Sequence, residues 1–413
     1  MAKTVELEIR DGVVVDVPKD ARAVVIPEGV REIGALAFSY CTDLRSVVIP
    51  DSVCKIGDLA FLGCKRLKTA TLPASGCELG EGAFAECESL RSVVIPEGVS
   101  EIGAYAFAEC ESLRSVVIPE GVRKIGDGAF SGCGCLKKAT LPASLSVIGD
   151  NAFSGCCVLR LVLPEGLTSI GAGAFRYCEY LKAATVPAGM TEIGEGTFYG
   201  CRRLAELVIP EGVKLIGANA FFGCECLPIP TLPASLAVVS EYAFAFCDGL
   251  TAELPASLTE IGDGAFMGCI GLTSATVPAG GCRIGQQAFS YCAGIASLSL
   301  PEGLTELGVG AFAQCISLRA VLIPASVSEI GPYAFTCCEA LAELAIPEGV
   351  TAIGEGAFAC CTSLSALALP SSVREIGENT FAGCTALTAI TAPAPLADTL
   401  RASCPDATVT VIG

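Results

Sequence analysis

A proline returns every 22 or 23 residues along almost the whole chain, and this spacing restricts the fold more than any other feature. Of sixteen intervals between these prolines, fourteen are 23 residues long, and Pro142–Pro164 and Pro233–Pro255 are 22. Each interval contains one phenylalanine followed three residues later by a cysteine, from Phe38 and Cys41 to Phe381 and Cys384. Repeats of this length at a fixed period are typical of a solenoid, in which each repeat packs against its neighbours.

Each repeat can be divided into short elements by its apolar pattern. In LRSVVIP (44–50), the leucine and the residues three and five after it alternate toward the core, as in a half-buried strand, and Pro50 ends that strand. VREIG (30–34) buries two more aliphatic residues, and its glycine is expected to supply a backbone angle for the next turn. Residues 35–41 are predicted to form a short helical turn, with Phe38 filling the interior. Only stacking of neighbouring repeats buries these residues.

The full signature L-x-x-V-x-I-P-x-x-V-x-x-I-G-x-x-A-F-x-x-C resembles the BspA-like leucine-rich repeats of bacterial and protozoan proteins. It covers about nine-tenths of the chain. We therefore expect a β-rich solenoid, a right-handed leucine-rich repeat coil of 16 repeats with short strands and short helical turns, capped at both ends. The resemblance implies surface adhesins and host-interaction proteins, whose function depends on the variable surface columns.

The two ends of the sequence leave the repeat pattern. Residues 1–22 alternate as in a hairpin, and residues 394–413 contain a candidate helix (PLADTLRAS) and a candidate strand (ATVTVIG). A solenoid end exposes apolar core and unpaired strand edges unless it is covered. We predict an N-terminal cap over 1–22, a repeat solenoid over 23–393 and a C-terminal cap over 394–413.

Composition argues against an enzyme. The chain has no histidine, which excludes Ser-His and Cys-His nucleophile pairs and His-bearing zinc sites. It contains no phosphate-binding loop and no spacing typical of metal ligands. We predict no catalytic residue, no metal site and no cofactor.

Net charge and hydropathy limit the partners. The net charge of −18 argues against nucleic acid. No apolar run approaches the roughly 20 residues that cross a bilayer, so membrane insertion is not expected. The charge is uneven, with a net −5 over residues 1–210 and a net −13 over residues 211–413.

The chain contains 25 cysteines, 16 of them three residues after a repeat phenylalanine. We interpret these 16, the cysteine column, as small buried residues in a packed thiol ladder. Nine others lie outside this column, and Cys54 with Cys77 and Cys337 with Cys360 share a register in adjacent repeats. A metal or redox role of these off-column thiols stays open. So many cysteines favour a reducing compartment, so the prediction is a cytoplasmic protein, with no signal segment recognised at its N-terminus and the cell surface as the alternative.

One outward column carries a charge pattern. In the repeat alignment, the residue after each leucine is basic in seven consecutive repeats, and we call these seven the predicted row: Arg45, Lys68, Arg91, Arg114, Lys137, Arg160 and Lys182. One interpretation is a docking strip for an acidic protein surface or polyanion. The other is that Asp43, Glu88 and Glu111 neutralise the row, or that it only keeps the sheet soluble.

The sequence LPIPTLP (227–233) places Pro228 and Pro230 in a predicted strand, and Ser240 then replaces the repeat glycine. Proline removes a ladder hydrogen bond, so a weak point is expected over 225–255.

The function predicted from these features is a non-catalytic scaffold for protein–protein interaction, which binds a partner on its extended sheet face. The alternative is a secreted or cell-surface adhesin built from the same repeats. The sequence does not define the oligomeric state.

Overall fold

The computed structural model describes residues 6–228, 232–251, 253–279 and 282–412. The chain divides into two compact units, Met1–Pro210 and Glu211–Gly413. Both are built from short parallel strands stacked one repeat apart, so each repeat forms one rung and the β-solenoid class is confirmed.

Each complete rung has two strand positions, and the strands at one position pair from rung to rung in ladders of two to nine strands. The ladders at one position are together called a sheet. The pre-proline sheet contains the strands that end just before the repeat proline, and the pre-glycine sheet contains the strands that end just before the repeat glycine. Registers repeat at one-rung intervals, with Val47 opposite Ala70 in the first sheet and Ile33 opposite Ile56 in the second.

The N-terminal unit opens with an antiparallel hairpin of Glu8–Arg10 and Val13–Asp16, whose second strand pairs in parallel with Glu32–Ile33. The pre-proline strands of this unit are Ala23–Val25, Ser46–Val48, Thr69–Thr71, Ser92–Val93, Ser115–Val117, Lys138–Thr140, Arg160–Val162, Ala183–Thr185 and Glu206–Val208. Its pre-glycine strands are Glu32–Ile33, Lys55–Ile56, Glu78–Leu79, Glu101–Ile102, Lys124–Ile125, Val147–Ile148, Ser169–Ile170 and Glu192–Ile193.

The C-terminal unit repeats this arrangement. Its pre-proline strands are Ser274–Thr276, Ser297–Ser299, Ala320–Leu322, Glu343–Ala345, Ala366–Ala368 and Ala389–Pro393. Its pre-glycine strands are Leu215–Ile216, Val238–Val239, Glu260–Ile261, Arg283–Ile284, Glu306–Leu307, Glu329–Ile330, Ala352–Ile353 and Glu375–Ile376. A 3-10 turn, Ala394–Leu396, leads into the helix Ala397–Ser403, and the strand Thr408–Ile412 then pairs in parallel with Ala389–Pro393.

The core of each unit contains a column of stacked phenylalanine rings. From Phe38 to Phe198, consecutive ring centroids lie 4.6–5.7 Å apart. From Phe221 to Phe381, the spacing is 5.2–5.9 Å. The rings are almost completely buried, as the sequence predicted.

The segment around each phenylalanine is not helical, which corrects one expectation. Residues 35–41 form successive tight turns, and Leu36 and Tyr40 adopt positive φ angles of 61° and 55°. The N–H groups of Leu36, Phe38 and Tyr40 donate to carbonyls of the next rung at 2.7–3.0 Å. A helix would keep these donors within its own segment, whereas here they link the rungs. We call this third side of each rung the turn wall.

The repeat glycine also has a different role from the one expected. Gly57 does not have a positive φ. A Cβ there would lie 2.7 Å from the Ala35 nitrogen and 2.9 Å from the Ile33 oxygen of the preceding rung. Glycine is therefore required at this position because two backbones approach closely.

The weak point predicted over 225–255 is only partly covered. Pro228 is exposed and Leu232 is buried, but Ile229, Pro230, Thr231 and Ala252 lie outside the described residues.

Candidate binding surface

The pre-proline sheet of the N-terminal unit presents three outward columns to solvent. Its inward residues, such as Leu44, Val47 and Ile49, are almost completely buried. The outward positions are one, two and four residues after the leucine. Strand alternation accounts for the second and fourth, since Ser46 and Val48 flank the buried Val47, and Arg45 lies just before this strand. Arg45 and Val48 are exposed and Ser46 is half-buried. Each rung thus contributes three side chains to one solvent-facing surface.

The backbone ladder fixes which residues share the first outward column. Arg45 N–H donates to the Arg22 carbonyl at 2.7 Å, and Lys68 N–H donates to the Arg45 carbonyl at 2.8 Å. The same one-rung contact continues through Arg91, Arg114 and Lys137. Six consecutive rungs therefore carry a basic residue, beginning with Arg22, which is absent from the predicted row because it follows buried Ala21 and not a leucine.

The structure moves Arg160 out of this column, which corrects the predicted alignment. Leu159 N–H donates to the Lys137 carbonyl at 3.3 Å, and Lys182 N–H donates to the Leu159 carbonyl at 2.9 Å. Arg160 is instead opposite Ala183 in the second outward column. The cause is the short repeat that ends at Pro164. Val158 takes the buried position that leucine has in other repeats, so the residue that this repeat lacks is missing between Cys156 and Val158.

We define the basic row by this ladder. It contains Arg22, Arg45, Lys68, Arg91, Arg114, Lys137 and, after the interruption at Leu159, Lys182. All seven are exposed. At about 4.8 Å per rung, the six consecutive residues span roughly 24 Å.

Two of the three acids expected to neutralise the row pair with bases outside it. Asp43 pairs with Arg66 at 2.5 Å and Glu88 pairs with Lys65 at 2.7 Å. Glu111 has no ion pair within the described ranges, and none of the ion pairs found there includes a member of the basic row. Arg160, outside the row, binds both carboxylate oxygens of Glu206 at 2.9 and 3.0 Å. The row therefore presents uncompensated positive charge on a chain of net charge −18.

A column of exposed valines and threonines runs parallel to the basic row, four residues after the leucine. Val94 and Val208 expose 79% and 77% of their surface. Between the two columns, most residues are small, such as Ala23, Ser92 and Ser115. The surface therefore combines a cationic edge, a small polar centre and an apolar edge.

The equivalent surface of the C-terminal unit lacks this charge. Its first outward column contains Thr273, Ala296, Arg319, Ala342, Ser365 and Thr388. A shallow depression of about 360 Å³ lies over Ala320, Ala342, Ala345 and Ala366, beside Leu322, which is 72% exposed. Only the N-terminal unit therefore has a continuous cationic column.

The cysteine column is a buried thiol ladder, as predicted, except at Cys384, which is half-buried. Within each unit, these thiols donate to the phenylalanine carbonyl of the preceding rung, for example Cys64 to Phe38 at 3.1 Å and Cys269 to Phe244 at 3.0 Å. Burial raises the pKa of the Cys178 thiol to about 12. The Cys178 thiol therefore stays protonated at neutral pH and has little nucleophilic character.

The off-column cysteines have varied environments. Cys54, Cys135, Cys226 and Cys360 are exposed, whereas Cys77 and Cys282 are buried. Burial, with a smaller effect of Cys54, raises the pKa of Cys77 to about 12. In the part of the chain that the structure describes, no group of three or more Cys, Asp or Glu side chains is arranged to hold a metal ion. That same part contains no helix with the length and hydropathy needed to cross a bilayer.

Comparison with known families and structures agrees with the repeat architecture. A family model described as BspA type leucine rich repeat region (6 copies) matches residues 19–134, 100–228, 215–339 and 282–401. No curated protein gives a significant match.

Two solved bacterial structures are similar over nearly their whole length. A leucine-rich repeat protein from Bacteroides ovatus is 28% identical, with 100% of this chain and 99% of the other covered and a TM-score of 0.75. A leucine rich cell surface protein from Faecalibacterium prausnitzii is 28% identical, with 94% and 93% covered and a TM-score of 0.51.

Proposed function

Because the chain belongs to the BspA-type leucine-rich repeat family, we propose that it is a non-catalytic scaffold that binds a protein partner on the pre-proline sheet of its N-terminal unit. The partner presents an acidic surface to the basic row. The observation that carries this proposal is the row itself, with six consecutive exposed cations and no ion pair to them among the described residues.

The loss of stability caused by repulsion within the basic row supports a binding role for it. Like charges on neighbouring strands repel, so a column of this kind reduces stability unless a partner or salt compensates it. Ion pairs do compensate other bases of the same unit, such as Lys65, Arg66 and Lys124. A bound acidic surface would remove the repulsion, while the neighbouring valines would add apolar contact area.

The test compares two charge reversals of equal size. The row variant carries Lys68→Glu, Arg91→Glu and Arg114→Glu, and the control carries Arg31→Glu, Lys55→Glu and Arg123→Glu around the pre-glycine sheet. Poly-L-glutamate serves as a defined acidic probe, with binding followed by fluorescence anisotropy at 50 and 300 mM NaCl.

We expect the wild type and the control to bind at low salt and to weaken about tenfold or more at high salt, because screening shortens the range of the interaction. The row variant should lose binding at both salt concentrations. Equal binding by the two variants would reject the row as the docking site. Affinity purification of partners at the same salt concentrations would then show whether natural partners follow the same pattern.

A secreted or cell-surface adhesin is the second candidate, favoured by the similarity to the F. prausnitzii protein described as a cell surface protein. The 25 free cysteines favour the cytoplasm instead, where thiols remain reduced. Labelling intact cells with a membrane-impermeant reagent separates the two, since only a surface protein would be modified before lysis.

A further inference from the structure

Cys337 and Cys360 occupy the same turn-wall position on consecutive rungs, two residues after Phe335 and Phe358. Their φ angles are 56° and 58°. Their N–H groups donate to Ala359 and Ala382 carbonyls at the same distance, 2.7 Å. The two residues therefore have equivalent backbones related by one rung. Cys360 is exposed and Cys337 is half-buried, so both are accessible from solvent.

The geometry of this column can be measured one rung further along, at Gly383. A Cβ placed on Gly383 would lie 3.0 Å from the Cys360 sulfur and 3.5 Å from the Cys360 Cα. In a disulfide, the sulfur of one cysteine is about 3 Å from the Cβ of the other, because the S–S bond is about 2.04 Å. A thiol in this column thus points at the next rung with the separation that a disulfide requires.

Because Cys337 and Cys360 have equivalent backbones, we expect the same relation between them, and here the next rung does carry a Cβ and a thiol. Partial removal from water, and then the nearby Cys337 thiol, raise the pKa of Cys360, which agrees with close sulfur atoms. The neighbouring column thiols are engaged elsewhere, since Cys338 and Cys361 donate to the Phe312 and Phe335 carbonyls at 3.3 and 3.4 Å.

A second pair with a shared register lacks this arrangement. The Cys54 thiol is exposed and donates to the Arg31 carbonyl of the preceding rung at 3.3 Å. Cys77 is itself buried. Only one thiol of this second pair is therefore accessible to an oxidant in solution.

We infer that Cys337 and Cys360 are a redox modification site, which forms a reversible disulfide between adjacent rungs. The oxidant is a low-molecular-weight disulfide such as oxidised glutathione. The exposed Cys360 loses its proton to solvent and attacks one sulfur of the oxidant, releasing one glutathione thiolate. Cys337, on losing its proton, then displaces the second thiolate from the mixed disulfide, and both thiolates take up the released protons. Two protein thiols are oxidised and one glutathione disulfide is reduced to two thiols.

The experiment treats the reduced full-length protein with oxidised glutathione, alkylates remaining thiols and locates disulfides by peptide mass spectrometry. Trypsin would leave both cysteines on one peptide, because no lysine or arginine lies between Arg319 and Arg374. Cleavage after glutamate separates them, since Glu339, Glu343, Glu348 and Glu355 lie between. We expect one cross-link between the two peptides, and its loss on reduction with dithiothreitol.

Three variants define the site. Cys337→Ser should abolish the cross-link and leave Cys360 as a mixed disulfide with glutathione. Cys54→Ser is the matched control and should leave the cross-link unchanged. Cys337→Ser with Gly383→Cys places a new thiol one rung beyond Cys360 and should restore a cross-link there. The inference is overturned if the wild type forms no cross-link, or if the cross-link survives Cys337→Ser without Gly383→Cys.

Discussion

Glycine occurs in this fold for different physical reasons, and three glycines of one rung show three of them. Alanine substitutions at these positions test each reason. Gly121 has a φ of 98° and no atom within 4 Å of a built Cβ. Gly126 has no positive φ, but its Cβ would lie 2.6 Å from the Ala104 nitrogen. Gly128 has a φ of 57°, and its Cβ would lie 2.4 Å from the Tyr105 ring.

The expected losses of stability differ because different atoms must move. Gly121→Ala should lower the free energy of unfolding only through backbone strain, by about 1 kcal/mol. Alanine also makes the unfolded chain less flexible, which partly offsets this loss. Gly128→Ala adds displacement of the Tyr105 ring, for about 2 kcal/mol in all, because that ring is half exposed and can rotate. Gly126→Ala meets backbone that cannot rotate away. We expect about 3 kcal/mol, because the rungs must separate and weaken bonds such as Gly126 N–H to the Ile102 carbonyl.

Native-state hydrogen exchange is the appropriate assay, because a long repeat array need not unfold as one unit. Amides of residues 102–128 should exchange about a hundredfold faster in Gly126→Ala, since 1.4 kcal/mol corresponds to a factor of ten. Gly121→Ala should change them severalfold at most. Tyr105→Ala should reduce the loss caused by Gly128→Ala and leave that of Gly126→Ala unchanged. Equal effects at Gly121 and Gly126 would refute the explanation by rung contact.

Three further outcomes are expected. Phe107→Ala should destabilise its rung by about 3–5 kcal/mol, because its ring is fully buried between two stacked rings, and thermal or urea unfolding measures this. Arg160→Ala should cost less than about 1 kcal/mol, because its pair with Glu206 is exposed, and it should leave poly-L-glutamate binding unchanged. Native thiol titration at pH 8 should modify Cys54, Cys135, Cys226 and Cys360 first. Cys178 should react only after unfolding, because its folded pKa of about 12 keeps it protonated at that pH.

The solenoid could be predicted from the sequence because every repeat has apolar residues at the same positions, which only neighbouring repeats can bury. The column positions of Leu44, Val47, Ile49 and Phe38 are apolar in nearly every repeat, and all four residues are buried. Strand alternation and the proline stop then define where the pre-proline strands lie. The predicted C-terminal helix and strand are also present, at Ala397–Ser403 and Thr408–Ile412.

The turn wall could not be predicted in the same way, because its hydrogen bonds are formed between rungs. A local pattern such as ALAFSYC does not reveal that Leu36 and Tyr40 adopt positive φ angles. Non-glycine residues rarely adopt this conformation, so short helical structure was the ordinary expectation. The available signal for positive φ angles was the frequent glycine two residues before or after the phenylalanine, at positions where other repeats carry larger residues.

The candidate surface was only partly predictable, because one missing residue changes the alignment of a column. In the repeat ending at Pro164, either Val158 or Leu159 could take the buried position. Leu159 follows Cys156 by three residues, as the buried leucine does in other repeats, so the sequence favours Leu159. The structure buries Val158, since its spacing to the proline matches the strand register of the next rung. Arg160 consequently leaves the row. Ion pairing, such as Asp43 with Arg66, depends on side-chain direction and could not be deduced from position in the repeat.

The two kinds of outward column differ in how freely their residues can vary, and this difference favours the sheet as the binding surface. On the turn wall, side chains lean over the next rung. A Cβ on Gly128 or Gly200 would lie 2.4 or 2.8 Å from the tyrosine ring of the preceding rung, so a change at one rung restricts the next. On the pre-proline sheet, outward side chains stand side by side on successive strands, and neighbouring rungs affect each other through charge and side-chain contact. A partner can therefore select residues there one rung at a time. The basic row shows this freedom, since it continues as arginine or lysine over six rungs and stops at Leu159, whose N–H still donates to the Lys137 carbonyl of the preceding rung.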